Sequence, residues 1–283
     1  MTAHEIVANL KNLAPVSPAS IRLVTLLDQD NQENAEVIDI LKCDNVLTAK
    51  VLRMCNSPYY GFTESIASID QAVLMLGYDK IVRIVLALCF GGVMGVPLDS
   101  YAFGTTDLWH HSFVTAMAAE ILAQDGLVAN VEPSTAFTTG LLHDIGKLAL
   151  NQVLAPDLIS ILRYQIDVHG LSRVEAERQT LGTDHAEVGA CMLRAWKLPS
   201  EIVEGVARHH QPATQPQPGL SVVACLANSI AHLAGSAPGW EAYADKMDGA
   251  LVKTLQLKRE KVESLVITVR ESFDCVDQFM VVA

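Results

Sequence analysis

The 283-residue sequence predicts an all-α protein, a bundle of two helical halves. Three observations carry this. Half of the residues are apolar but only 6% are aromatic, so the core builders are mostly Leu, Val, Ile and Ala, the set that packs helix on helix. Apolar positions recur at helical spacing, and period-2 alternation is absent throughout. Capping residues, prolines and glycines punctuate the chain at short intervals.

Taken in order, Ser17-Pro18 opens a helix carrying Ile21, Val24 and Leu27, and Asn34 caps the next, with Val37, Ile38 and Leu41 on one face. Leu47, Val51 and Met54 form a third stripe, ended by Asn56-Ser57-Pro58 and Gly61. Ser68 to Gln71 has capping-box spacing before Ala72–Leu76, and Gly77 stops that helix. Asp79 starts a helix to about Phe90. Residues 91–106, with four glycines and a proline, read as an internal boundary. A long helix is expected from Thr106 to Gln124, stopped by Gly126. Pro133-Ser134 opens another that carries Gly140–Leu150. Further helices are expected over Ala155–Val168, after the capping box Ser172–Glu175, over Asp184–Lys197, and over Pro199–His210. Gln211–Gly219, with three prolines, reads as a surface loop. Ser221–Ala234 reads as a buried helix, and two more close the chain near Ala242–Leu257 and Lys258–Phe279. The expected organisation is 1–97, 98–240 and 241–283, the last packing on the middle segment. The apolar end, Phe279–Ala283, is expected to pack on this or another subunit, which is compatible with a homodimer.

Composition narrows the function classes. The net charge of −12 and the lack of any cationic run argue against a DNA-binding surface. Six cysteines at 43, 55, 89, 191, 225 and 275 form no CxxC pair and fall in apolar patterns, which suits a reducing, cytoplasmic setting. The most apolar run, Ile84–Leu98, is shorter than the ~20 residues of a membrane span, and no secretory signal opens the chain.

The chemistry is concentrated in Gly140–Leu150, GLLHDIGKLAL, where His143 and Asp144 stand side by side in an apolar stretch. A polar pair there must be satisfied on burial. A metal ion and a plain His–Asp hydrogen bond both do this, and the other histidines weigh toward metal. Of nine histidines, His4, His169 and His232 fall in no pattern. The remaining six are His110-His111, His143, His185 and His209-His210, each in a predicted helix or at its end. Neighbours on a helix diverge by about 100°, so a pair straddles two ions or sends one member behind the other. Two such pairs leave room for a two-metal centre with ions on the order of 4 Å apart. Imidazoles with a single carboxylate suit Fe, Mn, Ni, Zn or Co over Mg or Ca. Lys147, one turn past His143, either faces an anion such as phosphate or is a solvated lysine at a helix edge. Asp184 reads as an N-cap.

His111-Ser112, His143-Asp144-Ile-Gly-Lys147, Asp184-His185-Ala-Glu-Val-Gly-Ala190, Trp196-Lys-Leu-Pro199 and His209-His210 together resemble the HDOD branch of the HD superfamily. The stretches Asp44–Leu52, Asn56-Ser57-Pro58-Tyr59-Tyr60 and Ile69–Gly77 resemble its N-terminal half. The resemblance covers about residues 10–235. It implies an all-helical fold and a role in bacterial signal transduction, with signalling proteins as partners. Catalytic members of the superfamily are metal-dependent phosphohydrolases with phosphate or nucleotide ligands, among them the HD-GYP phosphodiesterases of cyclic di-GMP. Carried over by position, the resemblance implies His111, His143, Asp144, His185, His209 and His210 as ligands of one or two divalent transition-metal ions. His111 is preferred to His110 because the family's first histidine precedes Ser. If the chain is an enzyme, Asp144 and Lys147 are the catalytic candidates. Two departures stand out. Asn228 occupies the place of the late Asp of catalytic relatives, where an amide oxygen binds metal weakly and brings no charge. No GYP follows His209. The resemblance thus implies a regulatory module with a retained metal site, and as the alternative a metal-dependent phosphohydrolase.

Overall fold

The computed structural model describes residues 1–10, 41, 45–211, 219–236, 238–239 and 249–280. The helix starts expected at Ser17 and Asn34, most of the Gln211–Gly219 loop, the start of the helix at Ala242 and the last residues of the tail lie outside them. Among the described residues the chain is helical, with one isolated antiparallel bridge, Leu98–Phe103, and no strand.

The helices are α1 (Ala3–Ala8), α2 (Asn45–Cys55), α3 (Ile69–Leu76), α4 (Tyr78–Met94), α5 (Asp107–Gln124), α6 (Pro133–Leu142), α7 (Gly146–Val153), α8 (Pro156–His169), α9 (Arg173–Leu181), α10 (His185–Ala195), α11 (Ser200–Ala207), α12 (Leu220–Leu233), α13 (Gly249–Thr254) and α14 (Arg259–Met280). Two 3-10 turns, Pro58–Tyr60 and Asp99–Tyr101, join α2 to α3 and α4 to α5. Local chemistry sets most of the ends. Ser172 and Glu175 form a full capping box on α9. Ser68 caps α3 through the Gln71 amide, and Asp184 caps α10 through the Glu187 amide. Glu132 accepts from Ser134 and Thr135 at the start of α6, with Pro133 at the position where a missing N–H costs nothing.

One large core runs from α2–α4 through α5 into α6, α7, α10 and α11, so the two helical halves share apolar contacts. A second cluster lies across α5, where Val114, Ala118 and Leu122 meet α12, Leu251 of α13, and Leu265 and Val269 of α14. Helix α5 therefore stands between two cores and is buried on nearly every side.

Two expectations change. Helix α4 does not stop near Phe90 but continues through Gly91 and Gly92 to Met94. Gly91 is a contact and not a breaker: a Cβ there would strike the Trp109 indole, whose Nε1 donates to the Ala87 carbonyl at 3.1 Å. The helix expected to carry Gly140–Leu150 is interrupted, since α6 ends at Leu142, residues 143–145 turn, and α7 begins at Gly146.

Candidate metal centre

The interruption at 143–145 places His143 and Asp144 at a corner between two helices. Both flanking glycines are needed for close approach. A Cβ at Gly140 would come within 2.9 Å of the Ala116 Cα and the Thr115 carbonyl on α5. A Cβ at Gly146 would collide with the His185 carbonyl and the Gly189 nitrogen of α10. Small residues thus bring α5, which carries His111, and α10, which starts at His185, against the corner that carries Asp144.

His111, His143, Asp144, His185 and His209 are all essentially buried, and His210 is half-buried. The Asp144 carboxylate is their common centre. Its Oδ2 lies 3.3 Å from His143 Nε2, 3.6 Å from His111 Nε2 and 2.6 Å from Lys147 Nζ. Its Oδ1 lies 3.3 Å from His185 Nε2 and 3.8 Å from His209 Nε2. His210 Nε2 reaches His185 Nε2 at 2.9 Å. The donor atoms form two groups that share this carboxylate, His111–His143–Asp144 and Asp144–His185–His209–His210, each with its atoms within 4.8 Å of one another.

The tautomers follow from what stands behind each ring. His111 Nδ1 faces the Ser236 carbonyl at 2.6 Å, His143 Nδ1 the Gly140 carbonyl at 2.8 Å, and His209 Nδ1 the Val206 carbonyl at 2.7 Å. A carbonyl only accepts, so each Nδ1 carries a proton, and each ring in its neutral form turns an Nε2 lone pair inward. Those three Nε2 atoms make no hydrogen bond among the described residues. Lone pairs aimed at a carboxylate from under 4 Å repel it, and a cation between them removes the conflict. The donor set therefore fits a divalent transition metal.

Electrostatics agree. Burial, then the neighbouring His232 and His143, push His111 well below the usual imidazole range. Burial, then His143, does the same at His209, and burial, then His209, at His210. Burial opposes ionisation of Asp144, but the His143 ring and the Lys147 ammonium outweigh it and hold the carboxyl well below its usual range. His185 differs. Burial would lower it, yet the Glu177 carboxylate behind it, with Asp144 in front, raises it to about 10.

Two residues near this centre belong to no motif of the sequence. Glu177 on α9 accepts from His185 Nδ1 at 2.7 Å, the His185 amide at 2.9 Å, Arg173 Nε at 2.9 Å and the Tyr101 hydroxyl at 2.7 Å. Its place i+4 from Arg173 looks like an ordinary exposed helix pair. His232 on α12 stacks on His111, with ring centroids 4.9 Å apart. It lies one turn beyond Asn228 on the same helix face, which was the available clue.

Lys147 is buried as well. It is 2% exposed, closed on Asp144, and its ammonium lies about 5.5 Å from the Tyr101 ring centre and 5.3 Å from that of Phe103. The solvated alternative fails here. Asn228 Oδ1 is buried without a hydrogen bond among the described residues, and its side chain shares a cavity of about 290 Å³ with Lys147, His185 and His210. His110 turns away from the cluster toward Phe273 of α14.

Comparison with known proteins places this architecture. The chain is 24% identical to an HDOD domain protein of unknown function from Geobacter sulfurreducens, with a TM-score of 0.73 over 99% of this chain and 93% of that one. A candidate phosphohydrolase from Shewanella amazonensis SB2B shares 24% identity, with a TM-score of 0.70 over 98% and 97%. A candidate signal transduction protein from Marinobacter aquaeolei VT8 shares 23%, with a TM-score of 0.74 over 95% of this chain but 60% of that one. Among curated proteins, an uncharacterized protein of Treponema pallidum (strain Nichols) is 22% identical over 247 residues, and the chain spans 45% of its length. The HDOD domain family model matches residues 13–212, most of the chain, and the chain belongs to the HDOD domain family.

Proposed function

We propose that the chain is a regulatory signalling module that holds a divalent transition metal and acts through protein–protein contacts. The observation that carries this is the poverty of negative charge at an otherwise complete donor set. Among the described residues Asp144 is the one carboxylate in either donor group, it is already closed on Lys147, and Asn228 stands where a second would be. His111, His143, Asp144, His185, His209 and His210 would hold the metal, with Asn228 as a weak neutral ligand. A bound ion would supply Lewis acidity. Lys147 is committed to neutralising Asp144, which leaves it poorly placed to orient a substrate phosphate. The free cysteines, Cys55 and Cys191 among them, suit a reducing cytoplasm. No described helix is long and apolar enough to cross a membrane. A partner surface is suggested by the outer face of α8, where Ile161, Tyr164 and Val168 recur at helical spacing and are 46%, 57% and 60% exposed.

A second reading has one observation in its favour. The cavity that reaches Lys147, His185, His210 and Asn228 gives a small phosphoester a route to the Oδ1 side of Asp144, as a metal-dependent phosphohydrolase requires. Elemental analysis of protein grown with Fe, Mn or Zn, followed by a nucleotide and phosphoester panel, separates the two. The regulatory reading expects bound metal without specific turnover. Turnover that disappears in Asp144→Asn establishes the hydrolase, and metal-free protein that takes up none of the three ions overturns both.

A further inference from the structure

A cavity of about 370 Å³ lies away from the metal centre, between the elements that follow α2 and the outer faces of α5 and α6. It falls within the ~300–1,000 Å³ range of small-molecule sites. Aromatic rings form part of its walls: Tyr59, Tyr60 and Phe62 from one half, Phe113 on α5 and Phe137 on α6 from the other. Tyr59 and Tyr60 pack edge to face, with ring centroids 4.8 Å apart, and neither hydroxyl makes a hydrogen bond among the described residues.

The charge in the cavity is unequal. Lys80, Arg83 and Glu120 line it together. The Glu120 Oε1 is taken twice, by Arg83 Nη1 at 3.0 Å and by Gln124 Nε2 at 2.9 Å. Lys80 at the rim is exposed and forms no ion pair among the described residues. Two cations against one satisfied carboxylate leave a net positive edge beside an aromatic chamber with phenolic donors.

We infer that this cavity binds a small aromatic carboxylate, its ring between Phe113, Phe137 and the tyrosine pair and its acid group toward Lys80 and Arg83. Phe113 stands two residues beyond His111 on α5, and Phe137 lies on α6, the helix that ends at Leu142 beside His143. An occupant would thus bear on both helices that carry the Oδ2 side of the metal centre. The inference does not depend on metal occupancy.

The test is calorimetric titration of the full chain, untreated and chelator-treated, with 2-naphthoate, 2-naphthylmethanol and 2-naphthylmethylammonium. The expected result is saturable one-site binding of the carboxylate in both preparations, with the ammonium about tenfold weaker or undetectable. Lys80→Gln, a change at an exposed position, should weaken naphthoate about three- to fivefold, as loss of a partly exposed ion contact does. Met75→Trp, at the half-open rim, should block it, with melting temperatures confirming that both variants fold. Binding seen only in the untreated preparation assigns the carboxylate to the metal and overturns the inference. So do the absence of saturable binding, equal affinity for the ammonium, and wild-type affinity in both variants.

Discussion

The two sides of the Asp144 carboxylate are built differently, although each gathers imidazoles from separate helices. On the Oδ2 side, His111 and His143 lean on backbone carbonyls, His232 stacks behind, and Lys147 occupies the same oxygen at 2.6 Å. On the Oδ1 side, three histidines converge, and His185 is backed by Glu177, a full negative charge with four donors bound to it. A carboxylate behind a histidine makes it a stronger ligand than a carbonyl does, and a lysine in front of a carboxylate competes with a cation. A bound ion would by this difference prefer the Oδ1 side, and any second ion would be held more weakly on the Oδ2 side.

Removing the shared centre should have the largest effect. Asp144→Ala deprives both sides of their carboxylate and leaves Lys147 buried without its partner, a loss of roughly 3–5 kcal/mol. Denaturant unfolding and metal analysis of the same preparation should show a less stable, metal-free chain. Retention of metal would mean that the two groups do not meet at Asp144.

Glu177→Gln strikes one side only. Metal affinity should fall about 10- to 100-fold, with Arg173 left beside a neutral amide. The proton count sharpens this. In the metal-free chain His185 is held up to about 10 by the carboxylates on either side, against the opposing effect of burial. Its raised pKa contributes stability that is fully present below its ordinary value of ~6.5 and is lost as pH rises through about 10. An ion at His185 Nε2 must displace that proton, so loading near neutral pH should release about one proton per ion, fewer in Glu177→Gln. Calorimetry in buffers of different ionisation enthalpy reads the number, and equal release from both proteins would put the ion elsewhere.

Asn228→Asp restores a carboxylate beside His185 and His210. It should raise metal content toward about two ions per chain, measured by elemental analysis after saturation. An unchanged stoichiometry would show that charge is not what limits the site. His232→Phe should do least. It keeps a ring on His111, so metal content should stay at the wild-type level and stability within ~1 kcal/mol. A large loss of metal there would make the Oδ2 side the stronger one and reverse the comparison.

Much of this arrangement is legible before any coordinates. Ser172 with Glu175, Ser68 and Asp184 cap the helices that their spacing indicates, because capping is decided within four residues. The choice of His111 over His110 corresponds to the buried ring and the ring turned toward Phe273. Other readings failed where distant contacts overrule local rules. Gly91 looks like a helix stop but makes room for Trp109. Lys147 looks like a solvated edge residue but is buried against Asp144. Arg173 and Glu177, four residues apart, form the floor beneath His185, a role no local pattern marks.

By itself the sequence determined that the chain is helical, where most helices start, and which imidazoles and which carboxylate its motifs single out. These depend on periodicity, capping and residue type, which act over a few neighbours. Only the tertiary structure decided that one carboxylate faces two histidine groups, which ring nitrogen each histidine turns inward, and that Glu177 stands behind only one of them. Those outcomes depend on backbone carbonyls and charges brought together from α5, α9, α10 and α12 and the turns beside them, and no local pattern encodes such a meeting.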